Sequence, residues 1–317
     1  MFVGENMPSF EAVQHIPCFQ LLKVAFGILV LLHGTAADKL DTRLNRDGCG
    51  ESEPTGRIYR GKEISRKQVP WIAHILTYWH DENSHCGGSI ITSNVLLTAA
   101  HCVIRPPVKP TKVMAICNST KVFGKPDMSD WMSVESMVVH PKYSLQYGGW
   151  YDIALLKLRS RLKFDRFVKP ICLPSREIDV ADKRLLVAGW GRPTKYARIS
   201  HILLFAQVVG MPDDECKSAI ETTVIDQTTP ILGGPPLCAM MLDGISCKGD
   251  SGGPMTLSKS NGKSVQVGLV SLVPGCPEEG TLARPEIQTR ISGYWSWIRM
   301  ALKQPKQWHK LHVDSYP

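Results

Sequence analysis

Long hydrophobic runs are scarce in this 317-residue sequence. The longest uninterrupted one, Val24 to Leu32, is too short to cross the ~30 Å apolar core of a bilayer as a helix. There is no internal repeat, no low-complexity tract and no concentrated run of Lys or Arg, and no zinc-finger or RNP-like spacing supports nucleic-acid recognition. With 43% hydrophobic and 21% charged residues, the composition excludes disorder, collagen-like repeats and long coiled coils.

Glycine (26), proline (22) and cysteine (10) are plentiful, which fits strands and turns better than a helical bundle. Lys23 precedes the apolar run and the small residues Gly34-Thr35-Ala36-Ala37 follow it, the layout of a secretory signal over residues 1–37. The stretch before Lys23 is long and holds Glu5 and Glu11, so Met7 is an alternative start. An uncleaved membrane anchor is the competing reading, disfavoured by the short core; the expectation is a secreted, extracellular protein with no membrane span. Cysteines in an exported chain imply disulfides. The formal charge is +8, and residues 1–57 hold five Lys/Arg against seven Asp/Glu, so the basic excess lies beyond Ile58. Such a surface attracts acidic partners, or is merely solubilising.

Asp38 to Arg57 is polar, punctuated by Gly48, Gly50 and Pro54, and has little to bury, so it reads as a linker or pro-segment, 38–57. Short apolar stretches alternate with turns from there on. Val95 to Ala100 reads as a buried strand, and Val265, Val267 and Leu269 as one face of another, which suggests a sandwich or barrel. Two helices are expected. Pro212-Asp213-Asp214-Glu215 opens one, with acids at its positive end. Tyr294, Trp297, Ile298 and Ala301 share a face of the other, with Ser292 as its cap. Gln304 to Pro317 is polar and is expected to fray.

Three stretches carry the chemistry: Leu97-Thr98-Ala99-Ala100-His101-Cys102, Asp152-Ile153-Ala154-Leu155-Leu156, and Gly249-Asp250-Ser251-Gly252-Gly253-Pro254. A serine hydroxyl attacks poorly unless a base takes its proton, and an imidazole with a pKa of about 6.5 suits that task at neutral pH. A carboxylate fixes the tautomer of that imidazole. Taken singly, each residue has a plainer reading as a satisfied polar group, a turn cap or a loop serine; together the roles are complementary.

In this order the three motifs resemble the trypsin/chymotrypsin family of serine proteases, over about Ile58 to Ala301. The resemblance implies two antiparallel six-stranded β-barrels packed face to face, roughly 58–175 and 176–290, within a protease domain of 58–317, followed by a C-terminal helix. It implies Ser251 as nucleophile, His101 as base, Asp152 as its partner, and the N–H groups of Gly249 and Ser251 as the oxyanion hole. Arg57-Ile58-Tyr59-Arg60-Gly61 resembles the activation site: cleavage after Arg57 frees the Ile58 amine, which pairs with Asp250. Tyr59 and Arg60 depart from the usual Val-Gly. By family pattern Cys86 pairs with Cys102, Cys216 with Cys238, Cys247 with Cys276, and Cys49 with Cys172, tethering the pro-segment. Leu185 and Leu257 stand where a further bridge is usual. Cys18 leaves with the signal, and Cys117 is either a buried free thiol, the preferred reading, or a link between chains. Asn118-Ser119-Thr120 is a glycosylation sequon. No cofactor and no metal is expected.

By the same resemblance Ile245 occupies the floor of the primary specificity pocket, where trypsin-like enzymes carry an acid, so Lys or Arg finds no countercharge there. Val273 replaces a glycine at the mouth, Leu272 a tryptophan, and Glu286 a glycine of the second wall. Ile245 and Val273 favour small or medium apolar side chains. Glu286, turned into the cavity, would accept a basic side chain or pair with Lys248; the apolar reading is preferred because one wall acid does not offset a narrowed mouth. The expected function is a secreted serine endopeptidase made as a zymogen. Its implied partners are protein or peptide substrates, an upstream trypsin-like activating protease and protein inhibitors. The alternative is a weak or inactive homologue that binds or regulates. A structural or inhibitory disulfide protein accounts for the cysteines but not for the three motifs.

Overall fold

Stretches this short bury apolar side chains only if their backbone N–H and C=O groups pair with neighbouring strands. The computed structural model describes residues 39–53, 62–122, 130–144, 151–223, 236–243, 247–272 and 285–311. The expected signal, the Arg57–Ile58 bond, Ile245, Val273 and Cys276 lie outside the described residues.

In chain order the strands are β1 (Lys62–Glu63), β2 (Ile72–Tyr78), β3 (Asn83–Ile90), β4 (Val95–Thr98), β5 (Lys112–Ile116), β6 (Trp131–Val139) and β7 (Ala154–Leu158). They continue as β8 (Arg184–Gly189), β9 (Leu204–Gly210), β10 (Pro236–Asp243), β11 (Pro254–Ser258), β12 (Ser264–Leu272), β13 (Glu286–Arg290) and β14 (His309–Lys310). Six of them, in the order β6-β5-β2-β3-β4-β7, form an antiparallel barrel closed by the β6–β7 pairing, with β14 added beside β6. The second barrel, β9-β10-β13-β12-β11-β8, closes through β8–β9, with β1 beside β9. These are the two six-stranded antiparallel barrels of a chymotrypsin-like fold.

Closure fills each interior. Ile72, Ile75, Ile90, Leu96, Leu97 and Leu155 are fully buried in the first barrel; Val208, Leu237, Val267 and Met255 fill the second. Leu185 and Leu257 both join that second core. Val265 and Val267 are buried in the second core as their alternation predicts, while Leu269 packs with the first core and Val270 with the second, beside the register shifts of β12. Gln266 is buried toward the first barrel: the Ser89 hydroxyl of β3 donates to Gln266 Oε1 at 2.6 Å.

Four local expectations need correction. The strand expected over Val95–Ala100 stops at Thr98, and the chain tightens into a 3-10 turn, Ala100–Cys102. Helix α1 (Asp213–Thr223) opens on its acids as expected, but α2 (Trp295–Lys303) follows a 3-10 turn over Ile291–Tyr294 that contains Ser292. Tyr294 therefore holds the capping position, without a side-chain cap, and Trp297, Ile298 and Ala301 are buried. The tail does not fray through residue 310. Trp308 is large enough to be held by burial, its indole N–H donates to Ala301 O at 2.9 Å, and His309–Lys310 pairs with β6.

The segment before the expected cleavage site does have something to bury. Asp41 is inaccessible, and its carboxylate accepts from the Ser93 hydroxyl (2.6 Å) and from Arg43 Nε (2.9 Å), with Arg46 and Arg161 guanidinium nitrogens at 3.3 and 3.5 Å. Its backbone N–H donates to Asn94 Oδ1 at 2.8 Å. Burial alone would raise its pKa, but the bonds from Arg43 and Ser93 outweigh burial and hold the carboxyl well below the ordinary range. Residues 39–53 are thus bound by an ionic anchor as well as by the Cys49–Cys172 disulfide.

Asp41→Asn should speed amide exchange in residues 39–53 by roughly tenfold to a hundredfold near neutral pH, the range expected when a buried charge-assisted hydrogen bond is lost. A depressed carboxyl adds stability above its ordinary pKa and loses it as pH falls, so the difference from wild type should narrow below about pH 4. Equal exchange at neutral pH would contradict the anchor.

Candidate active site

β4 and β7 run antiparallel with Thr98 opposite Ala154, so the residues just after β4 and just before β7 emerge at one end of the first barrel. That register brings His101 and Asp152 together. The backbone N–H of His101 donates to Asp152 Oδ1 at 2.9 Å, and the imidazole bonds Asp152 Oδ2 through Nδ1 at 2.7 Å. With the carboxylate ionised, Nδ1 carries the proton and Nε2 presents its lone pair. The Ser271 hydroxyl donates to the same Oδ2 at 2.6 Å, and the Thr289 hydroxyl to the Asp152 carbonyl at 3.3 Å. A buried carboxylate is costly unless paired, and here every contact on Asp152 supplies a hydrogen.

The electrostatics follow. Burial would lower the His101 pKa, but the charge and hydrogen bond of Asp152 outweigh it, and the net shift is upward. Burial would raise Asp152, but the charge of His101 and the bonds from His101 and Ser271 hold it below its ordinary value. The pair stabilises an imidazolium.

Ser251 lies half-buried on the turn after Gly249, its carbonyl accepting the Gly87 N–H at 2.7 Å. The Cys86–Cys102 disulfide lies beside both Ser251 and the imidazole: Cys102 Sγ is 3.6 Å from Ser251 O and 3.8 Å from His101 Nε2. The two residues converge on that cystine, although no hydrogen bond joins the Ser251 hydroxyl to His101 Nε2 among the described residues. Cys86, His101 and Cys102 cluster within 4.8 Å, but both sulfurs are committed to the disulfide and cannot act as thiolate ligands. Gly249 has φ +107°, and a Cβ there would meet Ile199 Cγ2 at 2.6 Å, so only glycine lets the backbone turn its N–H groups as it does.

Asp250 points the other way, into the protein. Its oxygens accept the N–H groups of Gly191 (2.7 Å) and Cys247 (3.1 Å), and burial pushes its pKa up to about 6 despite those bonds. The space it fills exists because of glycine: a Cβ on Gly191 would lie 2.0 Å from Asp250 Oδ2. Glu286 is buried at the start of β13, its Oε2 accepting from Gln288 Nε2 at 3.0 Å, while Lys248 is exposed and makes no ion pair with a described residue. Cys216 is bonded to Cys238, and Cys247 is also disulfide-bonded. Cys117 is a free, buried thiol that burial pushes up to about 12, out of reach of a second chain. Asn118 is exposed.

Two contributors escaped the sequence reading, Ser271 and Thr289, while Gln288 stands out in the sequence only as a departure near the substrate region, in support of the binding homologue. Ser271 lies in the stretch read only for pocket walls, and no spacing in one sequence signals that its hydroxyl reaches back 119 residues to Asp152.

A model of the trypsin family matches residues 58–298. Melanization protease 1 of Drosophila melanogaster is 34% identical over 276 residues, covering 79% of this chain and 66% of that protein. Serine proteinase stubble of the same fly is 32% identical over 270 residues, covering 80% of this chain and 32% of that protein. The CLIP domain-containing serine protease B15 of Anopheles gambiae is 30% identical over 275 residues, covering 81% of this chain and 73% of that protein. The chain thus spans less than two thirds of the first two relatives, and the activities of those longer proteins as wholes are their own. Among the described residues no helix is long and apolar enough to cross a membrane.

In the uncleaved chain Asp250 carries a raised pKa, so it adds stability below about pH 4 and that stability is lost as pH rises through about 6. The unfolding free energy of wild type relative to Asp250→Asn should fall by about 2–3 kcal/mol between pH 4 and 7, measured by urea titration at each pH. A difference that stays flat across that window would contradict this assignment.

Proposed function

Because the chain belongs to the trypsin family of serine proteases, we propose that it is a secreted serine endopeptidase, held as a zymogen until the bond after Arg57 is cut. The observation that carries the proposal is the double engagement of Asp152 with the backbone and the ring of His101. A carboxylate fixed in that way keeps the proton on Nδ1 and leaves Nε2 as a base.

As Ser251 Oγ attacks the scissile carbonyl carbon, its proton passes to His101 Nε2, and the imidazolium is stabilised by Asp152. The carbonyl oxygen becomes an oxyanion facing the N–H groups of Gly249 and Ser251. Expulsion of the amine takes the proton back from His101 and leaves an acyl group on Ser251. Water then repeats the sequence, giving its proton to His101 and releasing the acid. Each oxyanion donor contributes about 3–4 kcal/mol to such a step.

Activation supplies what Asp250 lacks. Freed by cleavage, the ammonium of Ile58 would pair with Asp250 and lower its pKa back into the carboxylate range, ordering the turn that carries Gly249 and Ser251. An apolar primary specificity follows from Ile245 and Val273, and it is supported by the engagement of Glu286 with Gln288. Such an enzyme does not cut efficiently after its own Arg57, which calls for a separate trypsin-like activator. The second reading, a binding or regulatory homologue, draws on the lack of a Ser251–His101 hydrogen bond and on the departures at Arg60 and Leu272. The intact pair of Asp152 and His101 weighs against it.

After cleavage at Arg57, a fluorophosphonate probe should label Ser251; a folded, cleaved protein that stays unlabelled favours the binder. Asp152→Asn should lower kcat about 10⁴-fold, the loss known for this triad in the family, with little change in KM. Because only neutral His101 is a base and its pKa is raised, activity should fall on the acid side of a midpoint above the ordinary imidazole value. Peptide-library cleavage after Lys or Arg would overturn the apolar preference, and maturation of purified zymogen at a rate rising with its own concentration would overturn the need for an activator.

A further inference from the structure

Two strands of the second barrel connect the pocket wall to the charged pair of the first. β12 and β13 are antiparallel neighbours, and Gln288 of β13 is 1% exposed, facing back toward β12. Its amide is used at both ends. Nε2 donates to Glu286 Oε2 at 3.0 Å, and Oε1 accepts the backbone N–H of Ser271 at 2.9 Å. The hydroxyl of that same Ser271 donates to Asp152 Oδ2, the oxygen that holds His101 Nδ1. The chain of contacts therefore runs Glu286, Gln288, Ser271, Asp152, His101 without a gap longer than 3.0 Å.

The polarity of this chain is fixed by chemistry. A carboxylate at Glu286 accepts only, so it selects the amide orientation of Gln288 in which the NH₂ faces Glu286 and the carbonyl faces Ser271. In the reverse orientation two donors would face each other at Ser271 and two acceptors at Glu286. The register between β12 and β13 also shifts between Val270 and Leu272, so Ser271 lies at an irregularity of the ladder, where its N–H is satisfied by a side chain. A hydroxyl that must reach Asp152 is thus carried by a backbone unit whose direction depends on one glutamine.

We propose that Gln288 is a positioning residue that ties the pocket-wall carboxylate of Glu286 to the catalytic pair through Ser271, so that side-chain recognition and base strength are adjusted by one connected set of bonds. This deepens the peptidase reading and rests on its assignment of the pocket and the base. Charged and titratable groups also face the pair from elsewhere: Arg105 acts on His101, and Tyr143 and Tyr294 lie near Asp152. None of them is altered in the variants below, so their influence cancels in the comparison.

The test is the titration of His101 followed by proton NMR in the full-length, uncleaved chain, which needs no turnover, together with kcat and KM of the cleaved enzyme. The Ser271 bond draws charge off Asp152, so its loss leaves more for the imidazole. Ser271→Ala and Gln288→Leu should each move the His101 midpoint upward by about half to one pH unit, and the double variant no further than either alone. Glu286→Leu, which removes the acceptor that orients the Gln288 amide, should move it the same way by a smaller amount. In the cleaved enzyme the loss should fall on kcat, by about tenfold, rather than on KM. An unmoved midpoint in Gln288→Leu, or shifts that add in the double variant, would overturn the proposal. Should Gln288→Leu fail to fold, Ser271→Ala against Gln288→Glu decides instead: a second acid beside Glu286 should also displace the midpoint, and an unmoved one refutes the link. Loss of fluorophosphonate labelling in the wild type would sink the peptidase reading alone, leaving the NMR result to judge the coupling.

Discussion

A carboxylate shut away from water at the seam of two barrels, Asp152, organises this molecule. An isolated charge there would be prohibitively costly, and its environment is arranged to donate to it: the backbone and ring of His101 from the first barrel, the hydroxyl of Ser271 from the second. Because the donors belong to different barrels, the carboxylate gains its full set of donors only when both have closed and docked. The Ser89–Gln266 bond and the Gly87–Ser251 backbone bond cross the same seam, so the turn bearing Ser251 is registered against the first barrel by contacts independent of the imidazole.

A second buried acid, Asp250, is the one on which the proposed activation would act. Where Asp152 is saturated with donors and depressed, Asp250 has two backbone N–H groups and a raised pKa. The contrast is environmental, not chemical. A group left in that condition gains most from the arrival of a cation, which is how a new amino terminus can be coupled to the geometry of the adjacent serine. The upstream segment stays on the body through Asp41 and Cys49, so cutting the chain need not release it.

How much was legible beforehand follows from how local each feature is. His101, Asp152 and Ser251 each sit in a short contiguous motif, and the resemblance those motifs carry implies the two-barrel fold. Gly249 is legible for the same reason, since its backbone angle admits no other residue without strain. Asp41 was passed over because its partners Ser93 and Arg161 lie 52 and about 120 residues away, and nothing in a polar stretch announces that one acid is buried. Ser271, Thr289 and Gln288 act across strands through one hydroxyl or amide each, which leaves no periodicity to read. Ser292 was misread because a 3-10 turn lengthens the approach to α2, and the tail because a single tryptophan outweighs its polar neighbours.

The central claim is that one serine takes up an acyl group when the imidazole held by Asp152 accepts its proton. Intact-protein mass spectrometry of the cleaved chain mixed with a slowly hydrolysed activated ester tests it most directly. One acyl group per chain, mapped to Ser251 and absent from His101→Ala, is the predicted result. A folded, cleaved protein that acquires no adduct, or acquires it on another residue, would contradict the account.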